Sequence, residues 1–264
     1  MNNKLLSYTK TIVLCLSLLI VLYYTYKYLK TEGFVVNGSN TVKFLQKEET
    51  ADFLEGDLDF YSRSLSQWDL IARHVSSEEE YRIKSINSAI TFTESDKRTL
   101  QAVAVEADNF FKNINFDGLD CAKMAIIPWI FALTSGKDYE DGLPHTRADI
   151  IFLSKDTVNF DNKKELLKTL VHEKIHIYQR KYPEEMVNYL ESNGYTQWKQ
   201  RFGVPRIRAN PDLDPWIYYD PITSKPMLAY YTSDRPYNIT DIGLTDASFE
   251  HPFELIAYRV ASKL

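Results

Sequence analysis

The segment HEKIH, residues 172–176, lies in the middle of a stretch with helical patterning and constrains the fold more than any other feature. Asn162 can cap this helix with Glu165 three residues later, and Pro183 follows its end. Apolar residues recur at helical spacing between these limits. Because residues four positions apart lie on one helical face, the sequence predicts a helix over residues 162–182 with two imidazoles on one side.

This histidine pair is suited to bind a metal. Imidazoles one turn apart can both reach a tetrahedral Zn²⁺ ion at about 2.0–2.1 Å. Glu173 lies about 100° round the helix from His172, a position suited to a general base that holds a metal-bound water. With only 5 histidines in 264 residues, the pattern H-E-x-x-H rarely arises by chance. The alternative is two histidines and a glutamate that share a helix without a metal.

Through His172, Glu173 and His176 the chain resembles the zincin metallopeptidases, in the gluzincin-like branch whose third ligand is a glutamate from a later helix. The resemblance covers the segment ADIIFL (residues 148–153), the helix 162–182 and the C-terminal helix. It implies a zinc-dependent peptidase in which mixed strands and helices form a lobe above the metal. In that family the strand before the active-site helix is an edge along which an extended substrate lies, and ADIIFL is similar in position.

A third ligand must come from farther along the chain. The branch H-E-x-x-H-x-x-G-x-x-H is excluded, since position 179 is Gln and position 182 is Tyr. We expect the ligand to be Glu254, in the first turn of the last helix and aligned with small residues at steps of three and four. It follows His176 by 254 − 176 = 78 residues. The other candidates are Glu191, Glu250 and His251.

A zinc hydrolase also needs a donor for the developing oxyanion. His145 is the first candidate, because it lies in the loop KDYEDGLPHTR just before ADIIFL. Arg147 lies in the same loop. Further candidates are the tyrosines before the last helix, namely Tyr218, Tyr219, Tyr230, Tyr231 and Tyr237. Most tyrosines must be structural, since the chain contains 18 of them.

Residues 8–29 are predicted to form one membrane-spanning helix. The sequence TIVLCLSLLIVLYYTY is uncharged, lysines at positions 10 and 27 flank it, and its tyrosines suit a bilayer interface. A cleaved signal peptide and a buried soluble helix are the alternatives. We therefore expect an anchor at residues 1–30 and a linker at residues 31–41. The lysines on the two sides nearly balance, so the side of the membrane that the domain faces stays undetermined. With the following KTEGF, this segment resembles membrane proteins of large DNA viruses, which implies a virion or host membrane.

The remainder, residues 42–264, is predicted to be an α+β domain with a small mixed sheet. A stripe from Leu54 to Val75 predicts one helix, and Thr93 with Asp96 predicts the start of another. KMAIIPWIFAL and ADIIFL are strand-like, with Pro128 placing the first at an edge or dividing it. Residues 183–248 are expected to be irregular, and PFELIAYRVASKL helical. We expect a helical lobe over residues 42–118 and a catalytic lobe over residues 119–264.

The charge pattern narrows the choice of partner. Acidic and basic residues are mixed along a chain of net charge −5, without a basic run, so nucleic acid is not an expected partner. The leading hypothesis is a membrane-anchored zinc peptidase acting on a protein or peptide substrate. The alternatives are a non-catalytic zincin-like envelope or binding protein and a zinc hydrolase of some non-peptide bond. Only a hydrolase requires the carboxyl group of Glu173, since a purely structural zinc site would tolerate the amide.

Overall fold

A computed structural model describes residues 41–159 and 162–264 of the chain. These residues belong to one compact unit. The predicted anchor at residues 8–29, and the predicted linker up to residue 40, lie outside the described residues. Within the described ranges, no helix combines the length and the apolar character needed to cross a bilayer.

The described residues form nine α-helices and nine strands, a mixture that confirms the α+β prediction. The helices are α1 (Lys47–Gly56), α2 (Gln67–Ala72), α3 (Glu78–Ser88), α4 (Glu94–Asn113), α5 (Cys121–Ile126), α6 (Lys155–Val158), α7 (Lys163–Lys181), α8 (Pro183–Ser192) and α9 (Pro252–Ala261). The strands are β1 (Val42–Phe44), β2 (Trp129–Thr134), β3 (His145–Arg147), β4 (Ile150–Ser154), β5 (Thr196–Gln200), β6 (Trp216–Tyr219), β7 (Pro226–Met227), β8 (Ala229–Tyr231) and β9 (Ile242–Leu244).

The central feature is a four-stranded sheet in the order β1-β2-β4-β3. The first three strands are parallel, and β3 pairs antiparallel with β4 at the edge. Successive side chains of β2 and β4 alternate between two hydrophobic clusters, because side chains of a strand point to opposite faces. Phe131 and Leu133 join the larger cluster with α4, α7 and α9, whereas Ala132 and Phe152 join a smaller one with α1 and α3. The sheet therefore separates two cores.

The three helices of the larger core begin where the sequence indicates. Thr93 Oγ1 accepts a hydrogen bond from Asp96 N at the start of α4, and Asn162 Oδ1 accepts from the backbone at the start of α7. Pro252 occupies the first turn of α9. These three predictions are confirmed, and α7 packs against both α4 and α9.

A buried polar contact fixes the rotation of α7. Lys174 is fully buried, and its Nζ donates to Asp108 Oδ1 of α4 at 2.6 Å. Trp129 Nε1 of β2 donates to the same oxygen at 3.0 Å, and the ammonium lies 3.9 Å from the centre of the Trp129 ring. Burial lowers the pKa of Lys174 to about 8, against the opposing effect of Asp108. One side of α7 is thereby held to the sheet and to α4.

The single helix predicted from Leu54 to Val75 is wrong. Helix α1 ends at Gly56, and the next residue, Asp57, has the left-handed φ of 43°. Ser66 then caps the separate helix α2. Leu58, a member of the predicted stripe, is 78% exposed. The chain turns here because the Asp57 carboxylate accepts from Ser62 N and binds Arg147, contacts that a continuous helix would not allow.

Two predictions about strands also need correction. Pro128 divides KMAIIPWIFAL, but the first part is helix α5, and only the second part is a strand. That strand, β2, lies inside the sheet rather than at an edge. ADIIFL contains the predicted strand β4, but β4 is likewise internal. The edge belongs to β3, within the segment predicted as a loop.

The C-terminal half is more regular than expected. Residues 183–248, predicted as irregular, contain helix α8 and strands β5 to β9. Helix α7 ends at Lys181, before Pro183 as predicted. Pro183 is also the first residue of α8, where proline is favoured because its missing N–H would be unpaired anyway. The two expected lobes are continuous, since β1 of residues 42–118 pairs with β2 of residues 119–264.

A second buried ion pair joins distant parts of the smaller core. Arg73, at the end of α2, donates from Nε and Nη2 to Glu140 at 2.9 and 2.7 Å. Tyr81 of α3 donates to the same carboxylate at 2.6 Å. Burial alone would raise the pKa of Glu140, but the Arg73 guanidinium lowers it from 4.5 to about 2. The pair stabilises the folded state most where both groups are charged.

Replacing Glu140 with glutamine should lower the free energy of unfolding by about 3–5 kcal/mol at pH 7, because Arg73 would stay buried without its partner. Since the folded-state pKa is depressed, this stabilisation is complete above about pH 4.5 and is lost as the pH falls towards 2. Urea unfolding at pH 7 and pH 3 measures both effects. The control is Glu94→Gln, which removes an exposed pair with Lys97 and should cost under about 1 kcal/mol. Equal losses in the two variants would contradict the prediction.

Candidate metal centre

Three side chains with metal-binding atoms converge between α7 and α9. His172 and His176 come from α7, and Glu254 comes from the first turn of α9. Among the described residues, these three form the one His/Cys/Asp/Glu group whose potential ligand atoms meet, all within 4.8 Å of one another. The structure thus brings together the three residues that the sequence proposes as ligands.

The distances between their atoms suit a single small cation. The two Nε2 atoms of His172 and His176 are 3.0 Å apart. Glu254 Oε2 lies 3.3 Å from His172 Nε2, and Glu254 Oε1 lies 3.8 Å from His176 Nε2. Two nitrogens bound to one tetrahedral Zn²⁺ would be roughly 3.3 Å apart, given bonds of about 2.0–2.1 Å. Two imidazoles and one carboxylate are also a donor set that zinc accepts.

The ring of His176 is oriented by a buried glutamine. Its Nδ1–H donates to Gln179 Oε1 at 2.8 Å, which leaves the Nε2 lone pair directed towards His172 and Glu254. Gln179 Nε2 in turn donates to the carbonyl of Phe253 in α9 at 3.1 Å. Burial lowers the pKa of His176, so the neutral form that can bind a metal is favoured.

Glu254 is held by polar contacts from a loop. Asn210 Nδ2 donates to Glu254 Oε1 at 2.9 Å and to Glu250 Oε1 at 3.0 Å. Arg208 forms an ion pair with Glu250. Burial opposes ionisation of Glu254, but the hydrogen bond from His172 and the charge of Arg208 hold the pKa of this carboxyl well below its ordinary value. Glu254 is therefore ionised, as a metal ligand must be.

The other candidates for the third ligand are engaged elsewhere or lie apart. Glu250 forms an ion pair with Arg208 and accepts a hydrogen bond from Asn210. His251 caps α9, because its Nδ1 accepts from Phe253 N, while its Nε2 lies 3.2 Å from Asp214 Oδ1. Glu191 is exposed on α8. None of the three belongs to the converging group among the described residues.

Glu173 lies in the wall of the same cavity as His172 and Glu254, whose volume is about 730 Å³. Its side chain is buried, and Oε2 has no hydrogen-bond partner among the described residues. Burial raises the pKa of Glu173 well above its ordinary value, and the nearby carboxylates of Asp212 and Glu254 add to the shift. An unpaired buried carboxyl oxygen is costly unless a ligand or ion completes its contacts.

His145 lines this cavity too, from the edge strand β3. Its ring stacks on Phe152, and its Nδ1–H donates to the carbonyl of Leu143 at 2.9 Å. Among the described residues its buried Nε2 has no partner. In the neutral tautomer that this bond selects, Nε2 is an acceptor, so donation to an oxyanion requires the imidazolium. Burial lowers the pKa of His145 and thus opposes that form.

The remaining candidate donors have structural roles or lie away from the cavity. Arg147 is buried in ion pairs with Asp57 and Asp59. None of the five candidate tyrosines belongs to the cavity wall within the part of the chain that the structure describes. Tyr231, for example, donates to Asp69 in the core.

One residue of the cavity, Tyr258, was not predicted from the sequence, although its spacing could have identified it. Tyr258 follows Glu254 by four residues and therefore lies on the same face of α9. It lines the cavity, and its ring lies 4.7 Å from that of His172 in an edge-on arrangement. Asn210 and Asp212 were not predicted either, because no local pattern distinguishes loop residues that reach the site from more than 30 positions away.

The edge strand β3 does not offer the binding surface that the resemblance implies. Thr146 N and Oγ1 both donate to Asp212 Oδ1, at 2.6 and 2.7 Å. The carbonyl oxygens of Thr146 and Ala148 accept from Arg180. An extended substrate cannot add to the sheet where these backbone groups are already paired. A substrate would have to bind through the cavity instead.

Scanned against protein-family models, curated proteins and solved structures, the chain matches none of them. A function must therefore be inferred from the site itself. The site contains three converging side chains that could hold a metal, a buried unpaired carboxyl oxygen and a cavity large enough for a segment of a substrate.

Replacing Glu254 with glutamine should weaken zinc binding by more than about 100-fold, since the loss of even an outer partner costs about 10–100-fold. Competition with a chromophoric chelator measures the affinity of the full chain. Glu250→Gln is the matched control, because it makes the same change four residues earlier in the chain, just before α9. We expect it to weaken binding much less. A larger loss in Glu250→Gln than in Glu254→Gln would assign the third ligand to Glu250.

A separate prediction about zinc affinity follows from the contact between Gln179 and His176. Gln179→Leu removes the acceptor that fixes the ring of His176, so zinc affinity should fall by about 10–100-fold while zinc still binds. The same competition assay applies. Gln197→Leu serves as control, since Gln197 bonds to Tyr218 away from the cavity. Unchanged affinity in Gln179→Leu would show that the ring needs no such partner.

Proposed function

We propose that this protein is a membrane-anchored, zinc-dependent metallopeptidase of the zincin type with a glutamate as third ligand. The observation that carries the proposal is the convergence of His172, His176 and Glu254 beside Glu173 in one cavity. The proposed ligands come from two helices that are far apart in sequence. Such a convergence is not expected by chance, because both helices would have to place these side chains at the same point. The anchor at residues 8–29 enters on sequence alone.

The residues fit zinc by their donor types, their spacing and the neutral tautomer of His176. When bound, a zinc ion supplies a Lewis acid that polarises a carbonyl and lowers the pKa of a water towards about 7. His172, His176 and Glu254 would hold the ion. Gln179 and Asn210 would orient two of these ligands, in the way that outer partners usually do.

Glu173 is the proposed general base. Its buried, unpaired Oε2 accepts a proton from the attacking water and then donates it to the leaving amine nitrogen. The burial that raises the pKa of this carboxyl also makes it a stronger base than an exposed glutamate. The surrounding protein leaves only 3% of Glu173 exposed.

Tyr258 and His145 are the proposed substrate-contacting groups. The phenol of Tyr258 keeps its proton, because burial and the neighbouring carboxylates raise its pKa, and so it can donate to a developing oxyanion. His145 offers an unpaired Nε2 acceptor in the same wall, suited to a substrate N–H. The role of His145 as oxyanion donor stays a prediction, and it requires the protonated form of the imidazole.

Glu173→Gln tests the proposal, since the amide keeps the size of the side chain but cannot accept the proton. We expect zinc to remain bound while hydrolysis of a mixed peptide library, followed by mass spectrometry, falls by about 10²–10⁴-fold. Glu165→Gln is the matched control, because Glu165 lines the same cavity on the same helix but pairs with Lys168 at its exposed end.

Three outcomes separate the alternatives. Bound zinc without hydrolysis in the wild-type chain would favour a non-catalytic binding or assembly protein that keeps this site. Hydrolysis that survives Glu173→Gln unchanged would refute the role of Glu173. A chain that binds no zinc, by elemental analysis after purification with zinc present, would refute the metal centre itself.

A further inference from the structure

A second cavity, of about 520 Å³, shares Asn210 and Pro211 with the wall of the first. We call it the arginine cavity, because Arg63, Arg180 and Arg201 line it. Its volume is in the range of small-molecule binding sites. Apart from these two shared residues it lies outside the proposed peptidase site, and none of the proposed zinc ligands lines it.

The charge of Arg201 is poorly compensated. Its guanidinium donates one side-chain hydrogen bond, from Nη2 to Ser64 Oγ at 2.7 Å. Among the described residues, no carboxylate forms an ion pair with it. Burial lowers the pKa of Arg201 below its ordinary value, with Asp69 the largest opposing charge. A half-buried guanidinium with unused donors favours a bound anion.

The rest of the wall adds positive charge. Arg180 donates to the carbonyl oxygens of Thr146, Ala148 and Pro211, so its guanidinium is fixed, while the Asp212 carboxylate lies 3.9 Å away. The described wall contains one carboxylate, Asp59, and Arg147 binds both of its oxygens. Arg63 lies 3.6 Å from the Asp57 carboxylate, which is outside the wall. The described wall thus contains three arginines and one carboxylate, although the whole chain carries a net charge of −5.

Two exposed aromatic rings lie beside these cations. Phe60 is 61% exposed and Phe202 is 50% exposed. The guanidinium of Arg63 lies 5.0 Å from the centre of the Phe60 ring, and that of Arg201 lies 4.8 Å from the centre of the Phe202 ring. Phe60 also has a φ of 60°, which is disfavoured for a bulky side chain. Strain of this kind tends to occur at binding sites.

We propose that the arginine cavity binds an oxyanion, a carboxylate or a phosphate, that is attached to an apolar or aromatic group. Arg201 donates to the oxyanion, Ser64 orients the Arg201 guanidinium, and Arg180 contributes a fixed charge. Arg63, whose side chain is 47% exposed, can approach the ligand from the rim. Phe60 and Phe202 contact the apolar part. A bare oxyanion would leave most of the cavity unfilled.

Calorimetric titration of the full chain with small probes tests this site. The probes are N-acetylphenylalanine, phenyl phosphate and the uncharged N-acetylphenylalanine amide, in low-salt buffer without phosphate. Adding 1,10-phenanthroline, a neutral chelator, keeps anions from binding through a metal. We expect saturable binding of at least one anion, with the amide at least about ten-fold weaker. Comparison of the two anions identifies carboxylate or phosphate as the preferred group.

Arg201→Gln should weaken binding of the preferred anion by about ten-fold or more. Arg98→Gln removes the same charge from an exposed position on α4 and should leave the affinity unchanged. Arg63→Gln, at a more exposed position, provides a second test if Arg201→Gln fails to fold. No saturable binding of either anion, equal affinity for the amide, or equal losses in Arg98→Gln and the cavity variants would overturn the proposal.

Discussion

The buried contact of Lys174 with Asp108 and Trp129 determines the direction in which His172 and His176 point from helix α7. Lys174 and His172 are two positions apart and thus point about 200° apart round α7. Because the ammonium is held to α4 and β2, His172 and His176 must face the opposite way, towards α9. A buried lysine is tolerated only with its partner. Rotation of α7 would separate Lys174 from Asp108 and leave both charges buried and unpaired, which is strongly unfavourable. The cavity and its ligands depend on this orientation.

Local sequence signals predict the parts of the fold that depend on local interactions. Thr93 with Asp96, Asn162 with Glu165, and Pro252 mark helix starts through hydrogen bonds and backbone angles within a few residues. The prediction of one helix from Leu54 to Val75 is wrong because Asp57 takes a left-handed conformation in which its carboxylate binds Arg147, 90 residues away. Strand order failed for the same reason, since nothing near ADIIFL indicates that β3 will cover its outer edge.

The candidate site shows the same division. The spacing of His172 and His176 is a property of one helix, and Glu254 could be selected because Ala257 and Ala261 indicated a closely packed face. The supporting groups had no comparable signal. Asn210 and Asp212 lie in a loop and reach Glu254 and Thr146 only through the fold of the whole domain. The role of His145 depends on its tautomer, which the carbonyl of Leu143 selects and which no residue pattern displays.

The separation of 78 residues between His176 and Glu254 has a thermodynamic consequence. In an unfolded chain, bringing these two groups together would cost about 4 kcal/mol of loop-closure entropy. Here the packing of α9 on α7 has already closed that loop, so an ion entering the site meets a preorganised ligand set. The affinity of a bound ion would then be coupled to the packing of the intervening strands. Such an ion would act as a reversible cross-link in a domain whose described cysteine, Cys121, forms no disulfide.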